Sequence, residues 1–173
     1  MKKITLTFSI CICLCLFSCL NKEPNKKIEE RILEENTIEE KQSDTTYNFE
    51  EEVYIPIYSD IYNDSRDSRI QLTATLSIRN ISKTDSLFIE KVDYYNTRGE
   101  LVRNYIDNTI FLRPLETIDY VIDRDDESGG SGANFLVSWK AKKDISPLFQ
   151  AVMIGISGQQ GFSFTTEGIK VVN

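Results

Sequence analysis

From Gln71 to Arg79 the chain alternates without a break, with Leu72, Ala74, Leu76 and Ile78 on one side and Thr73, Thr75, Ser77 and Arg79 on the other. A period of two sends successive side chains to opposite faces of an extended strand. A helix would scatter the same four apolar residues around its circumference. The segment therefore reads as a half-buried antiparallel strand, and it needs a second apolar layer to cover its inner face.

Further strand candidates recur at short intervals: 53–58, 87–95, 101–105, 117–123, 133–140, 151–156 and 162–165. Asn80-Ile81-Ser82, Asn96-Thr97-Arg98-Gly99 and Gly158 separate them as turns. No stretch after residue 50 carries an apolar stripe of helical period longer than two turns. About seven or eight short strands over residues 51–173 predict an all-β domain, an immunoglobulin-like antiparallel β-sandwich. Trp139 shares a strand face with Phe135 and Val137 and is expected to anchor the core.

Such a domain has to hold by its core alone. The four cysteines, Cys11, Cys13, Cys15 and Cys19, all lie in the first nineteen residues, and the chain has no His. Downstream of them there is no disulfide framework, no thiolate metal site and no imidazole to serve a catalytic triad. Any chemistry falls to carboxylates, Lys, Tyr or hydroxyls. The expectation is a non-enzymatic protein without metal or cofactor.

The N-terminus reads as an address. Met1-Lys2-Lys3 is followed by an uncharged run from Ile4 to Phe17, then Ser18-Cys19, the layout of a secretory signal peptide. Leu16-Phe17-Ser18-Cys19 resembles the bacterial lipobox, with Phe17 a less usual residue at its position. That resemblance implies cleavage between Ser18 and Cys19 and a diacylglycerol and acyl chain on Cys19. Several chains anchor stably where one myristoyl group is marginal. The expected location is the bacterial cell envelope, at the outer membrane, with the protein attached to the membrane through lipid.

Residues 1–18 form the signal peptide, residues 19–50 the lipidated start and a charged tether, and residues 51–173 the sandwich. Loss of Lys2 and Lys3 takes the formal charge from −7 to −9, which argues against nucleic acid as a partner. Residues 20–50 hold five basic and nine acidic side chains, with only Ile28, Ile32, Leu33 and Ile38 as sizeable apolar anchors in the middle, too polar to bury a core. A marginal helix over 26–42 is the most structure they are expected to form. As a coil, the tether spans on the order of 30 Å.

Several segments in order carry a resemblance: Tyr54-Ile55-Pro56-Ile57-Tyr58-Ser59, Leu72 through Asn80, Val92-Asp93-Tyr94-Tyr95, Ser128 through Phe135 and Ala151-Val152-Met153-Ile154-Gly155. Together they resemble the bacterial family catalogued as domain of unknown function 3124, over about Val53 to Gly168. The resemblance implies no activity and no catalytic residues, and it agrees with an envelope lipoprotein.

Ser128-Gly129-Gly130-Ser131-Gly132 is the most suggestive constellation. It lacks the Gly-Lys-Ser/Thr ending of a phosphate loop, and Ala133 stands where a nucleophile elbow needs its last Gly. The simplest reading is a tight turn feeding the Trp139 strand. Its glycines nonetheless expose backbone N–H groups suited to an anion nest or to another chain's close approach. The expected binding loop comprises Ser128, Gly129, Gly130, Ser131, Gly132 and Asn134, with Gln159 and Gln160 joining if the Gly158 to Gly161 turn lies beside it.

Asp123, Asp125, Asp126 and Glu127, and separately Asp60, Asp64 and Asp67, resemble oxygen-rich calcium loops without matching the EF-hand spacing. The reading that results is a lipid-anchored binding or assembly module whose partner is an envelope protein or a glycan. Two alternatives stay open: a carboxylate-based enzyme or carbohydrate-binding accessory domain, and a calcium-stabilised structural module.

Overall fold

The computed structural model describes residues 46–172; the signal peptide, Cys19 and the expected helix over 26–42 lie outside the described residues. Eleven strands follow one another: β1 (Phe49–Pro56), β2 (Asp60–Tyr62), β3 (Arg69–Arg79), β4 (Leu87–Tyr95), β5 (Leu101–Asn104), β6 (Ile110–Leu112), β7 (Thr117–Ile122), β8 (Asn134–Ala141), β9 (Leu148–Ser157), β10 (Gln160–Glu167) and β11 (Ile169–Lys170). All eight strands expected from the pattern are present. The additional three, β2, β6 and β11, have two or three residues each, too few to show a period.

The strands form two antiparallel sheets. One runs β11-β1-β8-β4-β5, with β6 also pairing β4; the other runs β10-β9-β3-β2, with β7 also pairing β3. Equating β1, β8 and β4 with B, E and D, and β10, β9 and β3 with G, F and C, reproduces the core neighbour order of a constant-type immunoglobulin sandwich. The departures lie at the edges, where β11 takes the place of A beside β1 and β2 is added beside β3, and between β4 and β8, where a hairpin is replaced by β5, β6 and the crossing strand β7.

The alternation read from β3 is the one the fold uses. Leu72, Ala74, Leu76 and Ile78 are fully buried, and register places Met153 and Ile122 beside Ala74 and Ala151 and Tyr120 beside Leu76. Across the core, Phe135 sits between Ile55 and Tyr94, and Val137 between Val53 and Val92. Trp139 is 2% exposed and packs on Phe149 with ring centroids 6.5 Å apart.

Strand β4 breaks the simple period. Its inward residues are Leu87 and Ile89, then Val92 and Tyr94, and the register against β8 shifts between Ile89 and Lys91. A bulge there adds one residue and so turns both apolar pairs toward the core. Among the described residues no helix is long and apolar enough to cross a membrane.

Candidate functional site

The glycine-rich loop leads into β8 and packs against two chain segments. Ser59 lies between β1 and β2, and Tyr94 near the end of β4; their hydroxyls share a buried hydrogen bond of 3.0 Å. The Ser59 hydroxyl also donates to the Gly130 carbonyl at 3.3 Å, so the Tyr94 phenol is the donor toward Ser59. The Ser59 N–H reaches the same Gly130 carbonyl at 3.2 Å. Thr97, in the β4 to β5 turn, donates to the Gly129 carbonyl from its N–H at 2.9 Å and from its hydroxyl at 3.0 Å. That hydroxyl in turn accepts from the Gly132 N–H at 2.9 Å.

Both carbonyls thus use two acceptor positions, and buried Gly129 leaves no room for a side chain. A Cβ there would stand 1.8 Å from the Tyr94 oxygen and 2.4 Å from the Ser59 oxygen. Burial pushes the Tyr94 phenol above its ordinary range, against the opposing pull of the Ser59 bond.

The loop's polar edge is already engaged. Asp126 accepts from the Ser128 N–H at 3.0 Å and from the Ser128 hydroxyl, and Arg103 donates to it at 3.0 Å. Partial burial works to raise the Asp126 carboxyl; the Ser128 and Arg103 contacts outweigh it and hold the group below the usual range. Of the loop amides, Ser128 is committed to Asp126 and Gly132 to Thr97, and an anion bound beside Ser128 would meet the Asp126 charge. Asn134, the first residue of β8, pairs with Pro56 and Tyr95. Ser131 is half-buried, whereas Ser128 and Gly132 are exposed.

Gln159 and Gln160 lie at the same end but in the other sheet. Register places Gly155 opposite Leu72, whose N–H donates to the Ser59 carbonyl at 2.8 Å. The turn itself is only Gly158 and Gln159, since Ser157 pairs with Gln160, and the Gly158 to Gly161 stretch is exposed. Among the described residues no hydrogen bond joins this turn to the glycine-rich loop.

The acidic clusters are dispersed by pairing. Asp60 is bound by Arg69 at 2.7 Å and Asp126 by Arg103. Among the described residues no group of three or more His, Cys, Asp or Glu side chains could hold a metal ion, so the calcium reading finds no site of that kind there.

Two features escape a reading of the sequence. Beside the β1 and β11 edge lies a cavity of about 270 Å³, lined by Glu51, Trp139, Asp144, Phe149, Glu167 and Lys170 among others. Lys170 pairs with Glu51, and Asp144 accepts from the Ser146 N–H and hydroxyl, which hold Ser146 at a left-handed φ of 45°. The buried Trp139 indole nitrogen has no hydrogen-bond partner. These residues come from five elements and the 142–147 loop, so no spacing in the chain marks them.

The second is the outer face of the β10-β9-β3-β7 layer. Register aligns Thr165, Val152, Thr75 and Val121 in one row and Ser163, Ile154 and Thr73 in the next, with no charge in either. Ile154 and Ile156 are 51% and 53% exposed. The alternation of β9 carried this signal, because Ile154 and Ile156 fall on the face opposite Met153 and Gly155.

No curated protein matches the chain. A solved structure described as the crystal structure of Thermotoga maritima 1070 is similar at a TM-score of 0.40 and 12% identity, covering 70% of this chain and 95% of that one. The family described as "Protein of unknown function (DUF3124)" matches residues 50–171, nearly the whole of the sandwich, and the chain belongs to that family.

Proposed function

We propose that this chain is a lipid-anchored protein of the bacterial cell envelope, with Cys19 carrying the lipid and the sandwich serving as a non-enzymatic binding or assembly module. The lipobox-like Leu16-Phe17-Ser18-Cys19 supports the anchor, and the charged stretch that follows supports a tether holding the domain off the membrane. The observation that carries the binding role is the outer face of β9, where Ile154 and Ile156 stand half-exposed among uncharged Thr, Ser and Val rows. Neighbouring exposed apolar side chains on an uncharged stretch of sheet offer a contact surface. The exposed Gly158 to Gly161 turn, with Gln159 and Gln160, borders that face, and the loop of Ser128 and Gly132 lies at the same end.

Fractionation of cells carrying Cys19→Ala tests the anchor: the protein is expected to leave the membrane fraction, and full retention overturns the lipid attachment. Crosslinking in cells of wild type against an Ile154→Asp, Ile156→Asp variant tests the face. An unchanged set of crosslinked species overturns its role.

A second reading is favoured by the cavity. Phe149 with the Glu51, Asp144 and Glu167 carboxylates offers an apolar wall beside acceptors for hydroxyls, the combination a glycan needs. Titration with envelope polysaccharide fragments decides it. Heat that vanishes in Glu167→Gln supports a glycan site, and absence of heat with the wild type overturns it.

A further inference from the structure

Strand β10 ends its sheet, pairing β9 on one side and no other strand among the described residues on the other. It is eight residues long, and from Gln160 to Thr166 it contains no charge, no Pro and no register shift. Natural sheets normally blunt an edge of this length with Lys, Pro, a bulge or a covering segment. The other edges are shorter than β10, and all but one carry a charge or an ion pair: β6 has three residues, and β7 has six with Asp119 among them. β2 has three residues and carries the Arg69 to Asp60 ion pair, β11 has two and carries Lys170 against Glu51, and β5 has four with Arg103 among them.

The tight turn sets the direction of the unpaired groups. Ser157 and Gln160 close a two-residue hairpin, so Gln160, Phe162, Phe164 and Thr166 direct their backbone groups toward β9. Gly161, Ser163 and Thr165 direct theirs outward. On the inner side β10 is already tied down, by Phe164 against the Tyr58 ring at 5.7 Å and by the Thr166 hydroxyl on the Pro56 carbonyl at 2.6 Å. The open side therefore presents its backbone groups in strand geometry, already formed by pairing with β9.

We infer that β10 pairs antiparallel with β10 of a second copy of this chain, joining two sheets into one across a twofold axis near Ser163. This deepens the binding-module reading by naming the partner, and it rests on that reading for the confinement to a membrane that raises local concentration. A strand pairing antiparallel with itself is self-complementary, so one contact covers both open edges and closes the assembly. Charge favours the same partner. The mature chain carries −9, so two copies repel over most of their surface, and Gln160–Thr166 with the Thr165 and Ser163 rows behind it is uncharged. Register centred on Ser163 sets Gly161 against Thr165 and leaves Glu167 outside the ladder, with about six main-chain hydrogen bonds across the axis.

The test uses the full chain in its own membranes. Ser163→Cys places two thiols across the axis at a Cα separation of roughly 5.5 Å, within disulfide reach. On mild oxidation it is expected to give a disulfide dimer, with the wild type and Thr75→Cys, on the middle strand of the same face, as background. Thr165→Pro removes an outward N–H without touching the β9 ladder; in the Ser163→Cys chain it is expected to cut the dimer at least about fivefold while thermal unfolding stays close to the parent. Dimer no greater than background, or undiminished by Thr165→Pro, overturns the pairing. The dimer band decides in whichever fraction the protein is found: a monomer still in the membrane defeats self-pairing alone, and release to the soluble fraction defeats the anchor alone.

Discussion

Two glycines in turns at the same end of the sandwich, Gly158 and Gly129, are required for opposite reasons. At Gly158 the backbone takes a φ of 62° and an added Cβ would meet nothing within 4 Å. At Gly129 the residue is buried, and a Cβ would be driven into Tyr94 and Ser59. Gly158 supplies a conformation and Gly129 a volume, while Gly130 beside it, at a φ of 80° and with Thr97 close by, supplies both. A glycine in a sequence does not say which, because the difference lies in what the rest of the chain brings alongside.

The sharpest way to break the comparison is Gly129→Ala. Overpacking against a buried hydrogen-bonded pair is expected to cost about 3 kcal/mol, read as a lower urea midpoint with unchanged slope. A loss below about 1 kcal/mol would mean that the loop yields and the pair is not a rigid wall. Adding Tyr94→Phe removes the nearest atom, so the double variant should recover about 1 kcal/mol relative to the sum of the singles.

Next in size is Thr97→Val, which keeps shape but strips the hydroxyl that binds the Gly129 carbonyl and the Gly132 N–H. The expected loss is about 1 to 2 kcal/mol in the same unfolding assay, and a neutral result would show that water replaces the hydroxyl without penalty. At the open turn, Gly158→Ala should cost about 1 kcal/mol for the left-handed backbone alone, and Gly158→Asn less, because Asn tolerates that region. Equal losses for the two would point to something other than φ.

The smallest effect is in pH. Burial raises the Tyr94 and Tyr105 phenols in the folded chain. A group whose folded pKa lies above its unfolded value contributes stability in full below the unfolded value, about 10 for Tyr, and loses it as pH rises through the folded one. Alkaline unfolding is therefore expected to steepen above about pH 10, and less so in Tyr94→Phe, with Tyr105 keeping part of the slope. Matching alkaline profiles for the two proteins would remove Tyr94 from the account.

Much of the fold was legible in the chain. The β3 alternation named four core residues correctly, and the β8 alternation placed Phe135, Val137 and Trp139 inside. The candidate site was less legible. The Ser128 to Gly132 run stood out by composition, yet the partners that account for it, Ser59, Tyr94 and Thr97, are spread over the chain. The cavity that includes Glu51, Asp144 and Glu167 left no local trace.

Alternation along a strand is local information, so the sequence alone settled the all-β class, the faces of the longer strands, the absence of Cys and His from the sandwich, and the uncharged run from Gln160 to Thr166. Sheet order, the Glu90 bulge that returns Val92 and Tyr94 to the core, the choice of which glycine is packed, and the exposure of the β10 edge were decided only by tertiary structure. Each depends on pairing between residues tens of positions apart, and periodicity within a strand reports which face is buried without saying which strand will lie beside it.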